Sequence, residues 1–234
     1  MDAREIQVPA GTIRYREAGA GPAIVFVHGY LVDGRLWDGV AEALSGRFHV
    51  VVPDLPFGAH KVPMAPDAAL DAPGLATIVD DFIAALGLED VTLVGNDSGG
   101  AYSQISVAAD PGRVARLVLN SCETPFDEFP PPPFDGLPAA AADPAVLSQL
   151  FEALRDRDVR ATDAAFGLLI KPPIDDLVSD SYALPCVSDA DVLRDTAKVM
   201  SSAASAPVHA AGQSDPASDR PNHADGQLKE TTNA

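Results

Sequence analysis

Residues 91–102 read VTLVGNDSGGAY, and this stretch decides the fold. Val91–Val94 has strand character and runs into Gly95-Asn96-Asp97-Ser98-Gly99, after which Ala101–Ala109 reads as a helix. A strand that turns sharply into a helix leaves no room for side chains two positions either side of its tip. Gly95 and Gly99 meet that demand with Asp97 between them, at the position that presents a nucleophile. Centring the turn on Ser98 would put Asn96 where a glycine is wanted and lengthen the strand by one residue. Asp97 is the better reading. A glycine-rich turn after a strand can also be a plain tight connection, so the neighbouring segments carry weight.

On the N-terminal side, Ile6–Val8 and Thr12–Arg16 read as a hairpin around Pro9-Ala10-Gly11. Ala23–Val27 (AIVFV) and Phe48–Val52 are continuous apolar runs, as expected of strands buried on both faces of a parallel sheet. Leu36–Leu44 and Leu75–Leu86 have helical periodicity, the second closed by Gly87 as its C-cap. Val91–Val94 is a third buried strand and Val114–Leu119 (VARLVL) a fourth. Strands alternating with helices predict an α/β fold, a mostly parallel sheet flanked by helices.

At Pro125 the character changes. Residues 130–133 are PPPP, which fits neither a sheet interior nor a helix and reads as a polyproline connector. Ala145–Arg155 and Asp189–Met200 look helical, separated by Lys171-Pro172-Pro173, and no strand-like run lies between 125 and 200. From Ser201 large apolar residues nearly vanish, and a disordered tail is expected. The division is a core over 1–123, a helical insertion over 124–200 and a tail over 201–234. No internal repeat is evident.

Composition sets further bounds. The formal charge is −18, with 34 acidic and 16 basic residues, which disfavours nucleic acid and anionic lipid as partners. No apolar run approaches the ~20 residues of a membrane span, and the first residues, MDAREIQVPAG, have no secretory pattern. Two cysteines, Cys122 and Cys186, imply neither a disulfide framework nor a metal site. The expectation is a cytoplasmic chain with a small-molecule substrate, no metal and no cofactor, its oligomeric state left open.

In order and spacing, VFVHGY, LWDGVAEAL, VVPDLPFGAH, VTLVGNDSGGA and DPGRVARLVLN resemble the α/β-hydrolase superfamily. Within it they are similar to the aspartate-nucleophile branch that includes haloalkane dehalogenases and epoxide hydrolases. The resemblance covers residues 6 to about 123 specifically and the cap loosely. It implies an α/β-hydrolase fold with a helical cap over 124–200, the closing C-terminal strands of that fold being expected to be missing from this chain. It also implies a hydrolase of a small apolar haloalkane, epoxide or ester, whose turnover is expected to be impaired here. A carboxylate nucleophile displaces halide or opens an epoxide to leave an ester on the enzyme, and water activated by a histidine then cleaves that ester.

By the same resemblance, the backbone N–H groups of Tyr30 and Ser98 form the oxyanion hole, and His28, beside Gly29, orders that loop. Glu123, at the end of VLNSCE, stands where part of this branch places the triad acid; a solvated loop acid or helix cap is the alternative. The family places its catalytic histidine after the last strand. Past Met200 the sequence offers His209 and His223, but His223 follows Asp215 by eight residues, which leaves no space for the intervening helix and strand. No catalytic histidine is identified, while His60 is expected near the pocket rim and resembles no base. His49 begins a strand and reads as structural. Two departures stand out. Ser98 replaces the tryptophan that dehalogenases carry after the nucleophile, Trp37 packing instead on the first helix. The cap offers Tyr182 where epoxide hydrolases present two tyrosines. Phe57, Phe126, Phe129 and Phe134 suit an apolar pocket or packing beneath the polyproline segment. Rival readings are an ester or lactone hydrolase and a non-catalytic binding protein on the same scaffold.

Overall fold

A computed structural model of the chain describes residues 1, 3–122, 134–170 and 174–203. Its six-stranded sheet runs in the order β1 (Ala3–Val8), β2 (Gly11–Ala18), β4 (His49–Asp54), β3 (Ala23–Val27), β5 (Val91–Asp97), β6 (Val114–Cys122). The first three pair antiparallel, and β4, β3, β5 and β6 are parallel. The AIVFV run earns its continuous apolarity, since all five residues of β3 are buried.

Helices cover both faces. On one lie α2 (Ala72–Ala85) and α3 (Ser98–Ala109), and on the other a 3-10 turn over Gly34–Trp37 leads into α1 (Asp38–Leu44). The Trp37 ring rests on Phe26 at 4.9 Å, so Trp37 packs against the sheet as expected. Leu75, Ile78, Val79, Phe82 and Ile83 form the buried stripe of α2, each side chain stabilising by roughly 1.5–3 kcal/mol. Asp71 caps α2 by accepting from the Gly74 N–H, which explains why the helix begins three residues before the expected start.

Beyond the sheet come α4 (Leu137–Ala141), α5 (Pro144–Ala153), α6 (Arg157–Arg160), α7 (Asp176–Ser188) and α8 (Ala190–Ala203), with no strand among the described residues of this region. They enclose a second core that includes Leu147, Phe151, Tyr182, Cys186 and Met200. Helix α8 serves both cores, because Val199 packs with the sheet layer while Met200 packs with the cap. It also continues past the expected boundary at Ser201, and the Ser202 hydroxyl donates to the Leu70 carbonyl.

Helix α7 went unread because it contains Pro185. Proline there cannot donate to the Ser181 carbonyl one turn back. The freed carbonyl accepts from the Lys61 ammonium, which also binds the buried Asp33 carboxylate at 2.9 Å. Helix α7 is thereby fastened to the loop after β4. A second fastening lies nearby, where the buried Asp195 carboxylate accepts from the Met64 N–H at 2.7 Å and faces His60 Nε2 at 3.4 Å.

Two expectations are corrected. His60 is fully buried against Asp195 and does not reach a pocket rim. The run VARLVL is not a buried strand: β6 is the last strand among the described residues, and Val118 and Leu119 are 45% and 41% exposed. Its apolar sequence suits a sheet interior, and no described element covers its outer edge.

Candidate active site

Local sterics build the site. Asp97 ends β5 and caps α3, with φ 55° and ψ −137°, a conformation that costs a non-glycine residue of order 1–3 kcal/mol. The turn closes because the flanking positions carry no side chain. A Cβ on Gly95 would meet Gly100 Cα at 2.6 Å, and one on Gly99 would meet the His28 carbonyl oxygen at 2.2 Å. A Cβ on Gly29 would lie 2.6 Å from Asp97 Cβ, so the loop after β3 also depends on glycine to approach the aspartate. The Ser98 N–H donates to Asp97 Oδ1 at 2.5 Å.

His28 orders this loop from within. Its Nδ1–H donates to the Gly29 carbonyl at 2.8 Å, and Nε2 accepts from the Leu55 N–H at 2.9 Å, a pattern that only the neutral ring supplies. Burial pushes its pKa below 6.5, against the opposing pull of the Gly29 carbonyl and of Asp54 and Asp33. Unfolded chains therefore take up this proton first, so the contribution of His28 is complete above pH 6.5 and is lost as pH falls through the lowered value. Melting temperature should decline below that pH, and His28→Gln should flatten the decline. An equally steep slope in the variant would place the titrating group elsewhere.

Asp97 opens onto a cavity of about 410 Å³ between sheet and cap. Tyr30, Leu31, Asp97, Ser121 and Cys122 form its floor, while Leu150, Leu154, Phe166 and Leu169 are among its largely aliphatic walls. Three of the four non-glycine residues with positive φ among those described, Leu31, Asp97 and Ser121, lie on this floor. Backbone strain concentrated around one cavity is a mark of functional sites. If strain is held there for function, Asp97→Gly should stabilise the fold, by about 1 kcal/mol after glycine's own entropy cost. Chemical denaturation measures this; a loss of stability would mean that the carboxylate itself holds the turn together.

Of the sequence-derived site residues, Tyr30, Asp97 and Phe134 line the cavity, and Ser98, His28, Gly29, Gly95 and Gly99 surround the turn. Glu123, Phe126, Phe129, His209 and His223 lie outside the described residues. The three described histidines are held elsewhere, His28 in its loop, His49 by Glu17 and His60 by Asp195. Phe57 packs in the core against His28 and Tyr102. Tyr182 is buried against Phe166 and does not line the cavity. Sequence reading missed Ser121 and Cys122 on the floor; their only signal was adjacency to Glu123.

A family model described as the alpha/beta hydrolase fold matches residues 22–166. The chain belongs to this family. Among relatives of this α/β hydrolase, a haloalkane dehalogenase of Mycobacterium tuberculosis is 31% identical over 122 residues, covering 52% of this chain and 42% of the relative. A pimeloyl-[acyl-carrier protein] methyl ester esterase of Aeromonas hydrophila is 31% identical over 115 residues, 48% of this chain and 43% of the esterase. A putative ancestral haloalkane dehalogenase superposes with a TM-score of 0.66 at 23% identity, over 86% of this chain and 69% of that one, a likeness of fold. The chain spans about a third to a half of the length of the curated relatives that it matches, from 31% to 51%. No helix among the described residues is long and apolar enough to cross a membrane, and none of their His, Cys, Asp and Glu side chains form a group of three or more able to hold a metal.

Proposed function

We propose that this α/β hydrolase acts on a small apolar substrate through attack by Asp97 on a carbon bearing a leaving group, forming an alkyl ester. One observation carries the reading: a carboxylate at the tip of a strained turn, on the floor of a cavity walled mostly by hydrocarbon. Apolar walls bind by burying the substrate's own apolar surface and keep water from competing for the carboxylate. The Ser98 N–H holds Oδ1, which fixes the orientation of the carboxylate at the turn. In this proposal the Tyr30 N–H joins it as second oxyanion donor, and Glu123 orients the base of the hydrolytic step.

The test is direct. Incubation with a primary alkyl bromide or an epoxide should add the mass of the alkyl group to the peptide bearing Asp97, and Asp97→Asn should not be labelled. Labelling that survives in Asp97→Asn would sink the assignment. A second reading, ester hydrolysis on the same scaffold, draws support from the methyl ester esterase relative. Turnover of a short-chain ester with no adduct from halide or epoxide would favour it.

A further inference from the structure

We propose that Lys61 is a positioning residue, whose ammonium acts through Asp33 to set the loop over 28–33 that brings the Tyr30 N–H to Asp97. This rests on the reading of Asp97 as nucleophile and Tyr30 as oxyanion donor, and deepens it.

The loop needs holding. Leu31, beside Tyr30, has φ 58°, a left-handed conformation that a bulky residue keeps only where its surroundings impose it. Three hydrogen bonds from the loop after β4 do so. His28 Nε2 accepts from the Leu55 N–H, the Leu31 N–H donates to the Phe57 carbonyl at 2.9 Å, and Asp33 Oδ2 accepts from the Lys61 ammonium at 2.9 Å. The first two stay within the two loops. The third reaches further, because Lys61 Nζ also donates to the Ala59 carbonyl at 2.6 Å and to the Ser181 carbonyl of α7. Three N–H donors meet three acceptors on three segments, and none remains for a substrate. Lys61 therefore acts by placement.

Charge makes the placement sensitive. The Asp33 side chain is only 1% exposed, and its Oδ1 accepts from the Arg35 N–H at 2.9 Å. Burial pushes the Asp33 carboxyl up, yet the Lys61 ammonium and the Arg35 N–H outweigh it and hold it below its ordinary value. Without Lys61 a buried carboxylate would lose its counter-charge, and the segment carrying it would shift toward water or another donor. Asp33 follows Leu31 by two residues, so that shift passes to Tyr30. Lys198 offers the comparison. On α8 it donates to the Pro66 carbonyl at 2.6 Å, a tie to the same stretch of chain that does not involve residues 28–33.

The test follows alkylation of Asp97 in the full chain by a primary alkyl bromide at several concentrations, read by mass spectrometry. Lys61→Met should lower the maximal labelling rate at least about tenfold, since small misplacements of a reacting constellation can cost ~10²-fold. The half-saturating concentration should stay within about threefold and the final fraction labelled unchanged, because the apolar walls that bind the bromide are intact. Asp33→Asn alone keeps the side chain's shape and should show the same pattern more weakly, which decides the matter if Lys61→Met does not fold. Adding Asp33→Asn to Lys61→Met should slow labelling no further, as both remove one interaction. Lys198→Met should label like the wild type. In hydrogen exchange, the peptide containing Leu31 should lose protection in Lys61→Met and keep it in Lys198→Met. A wild-type rate in Lys61→Met, a fall confined to the fraction labelled, or an equal slowing in Lys198→Met would overturn the proposal. A wild-type chain that takes no label would refute the Asp97 reading instead. Unchanged exchange at Leu31 in Lys61→Met would overturn the role of Lys61 in either case.

Discussion

Treated with a reactive alkyl halide, the chain is expected to gain one alkyl group on Asp97 and to keep it. The two chemical steps ask for different parts. Attack needs a positioned carboxylate and an apolar site, and both are present on the cavity floor. Cleavage of the ester needs an activated water, and general-base help typically contributes ~10²–10⁴-fold to such a step. None of the three described histidines is available for it, since each is engaged away from the cavity. Burst kinetics should show about one equivalent of product, followed by a steady rate lower than the burst by a factor of that order. Intact mass spectrometry should show the adduct persisting for the length of the assay. Sustained turnover at the burst rate would identify a working base, and His209→Gln and His223→Gln would then find which of the two supplies it. No adduct and no turnover from a folded chain would leave the cavity as a binding site.

Gly99→Ala should cost the fold about 3 kcal/mol or more. The added Cβ would sit 2.2 Å from the His28 carbonyl oxygen and 2.8 Å from that of Val27. Both are backbone atoms of the strand–loop segment that forms the other wall of the turn, so neither can rotate away as a side chain would. Relief requires β3 and α3 to separate, which would also pull the Gly29 loop off Asp97. Gly39→Ala is the control, because a Cβ there meets nothing within 4 Å. Urea denaturation of the two variants measures the difference. Equal stabilities would show that the turn has slack the packing does not suggest.

The parts of this protein that could be read from sequence are those where the constraint is local. The turn at Asp97 is one, because Gly95 and Gly99 are demanded by atoms within a few residues of Asp97 and by the loop at His28. The buried strands β3 and β4 are another, since a parallel strand covered on both faces has to be apolar throughout. The same rule misled at β6, whose apolar sequence says what would satisfy it and not whether anything does. Helix α7 was not legible because it contains Pro185, and the carbonyl that this proline leaves free finds its partner in Lys61, more than a hundred residues earlier in the chain.

Sequence by itself therefore determined the fold family, the aspartate at the turn and the glycines that make room for it, all through short-range sterics and hydrophobic pattern. Tertiary structure alone decided the rest of the site. It put Ser121 and Cys122 beside Asp97, withdrew His60 and Tyr182 into the interior, and roofed the carboxylate with Leu150, Leu154 and Phe166. Each of those outcomes depends on which segments, dozens of residues apart, come to share one volume. A side chain's chemistry does not encode that neighbourhood; the packing of α5, α7 and α8 over the sheet creates it.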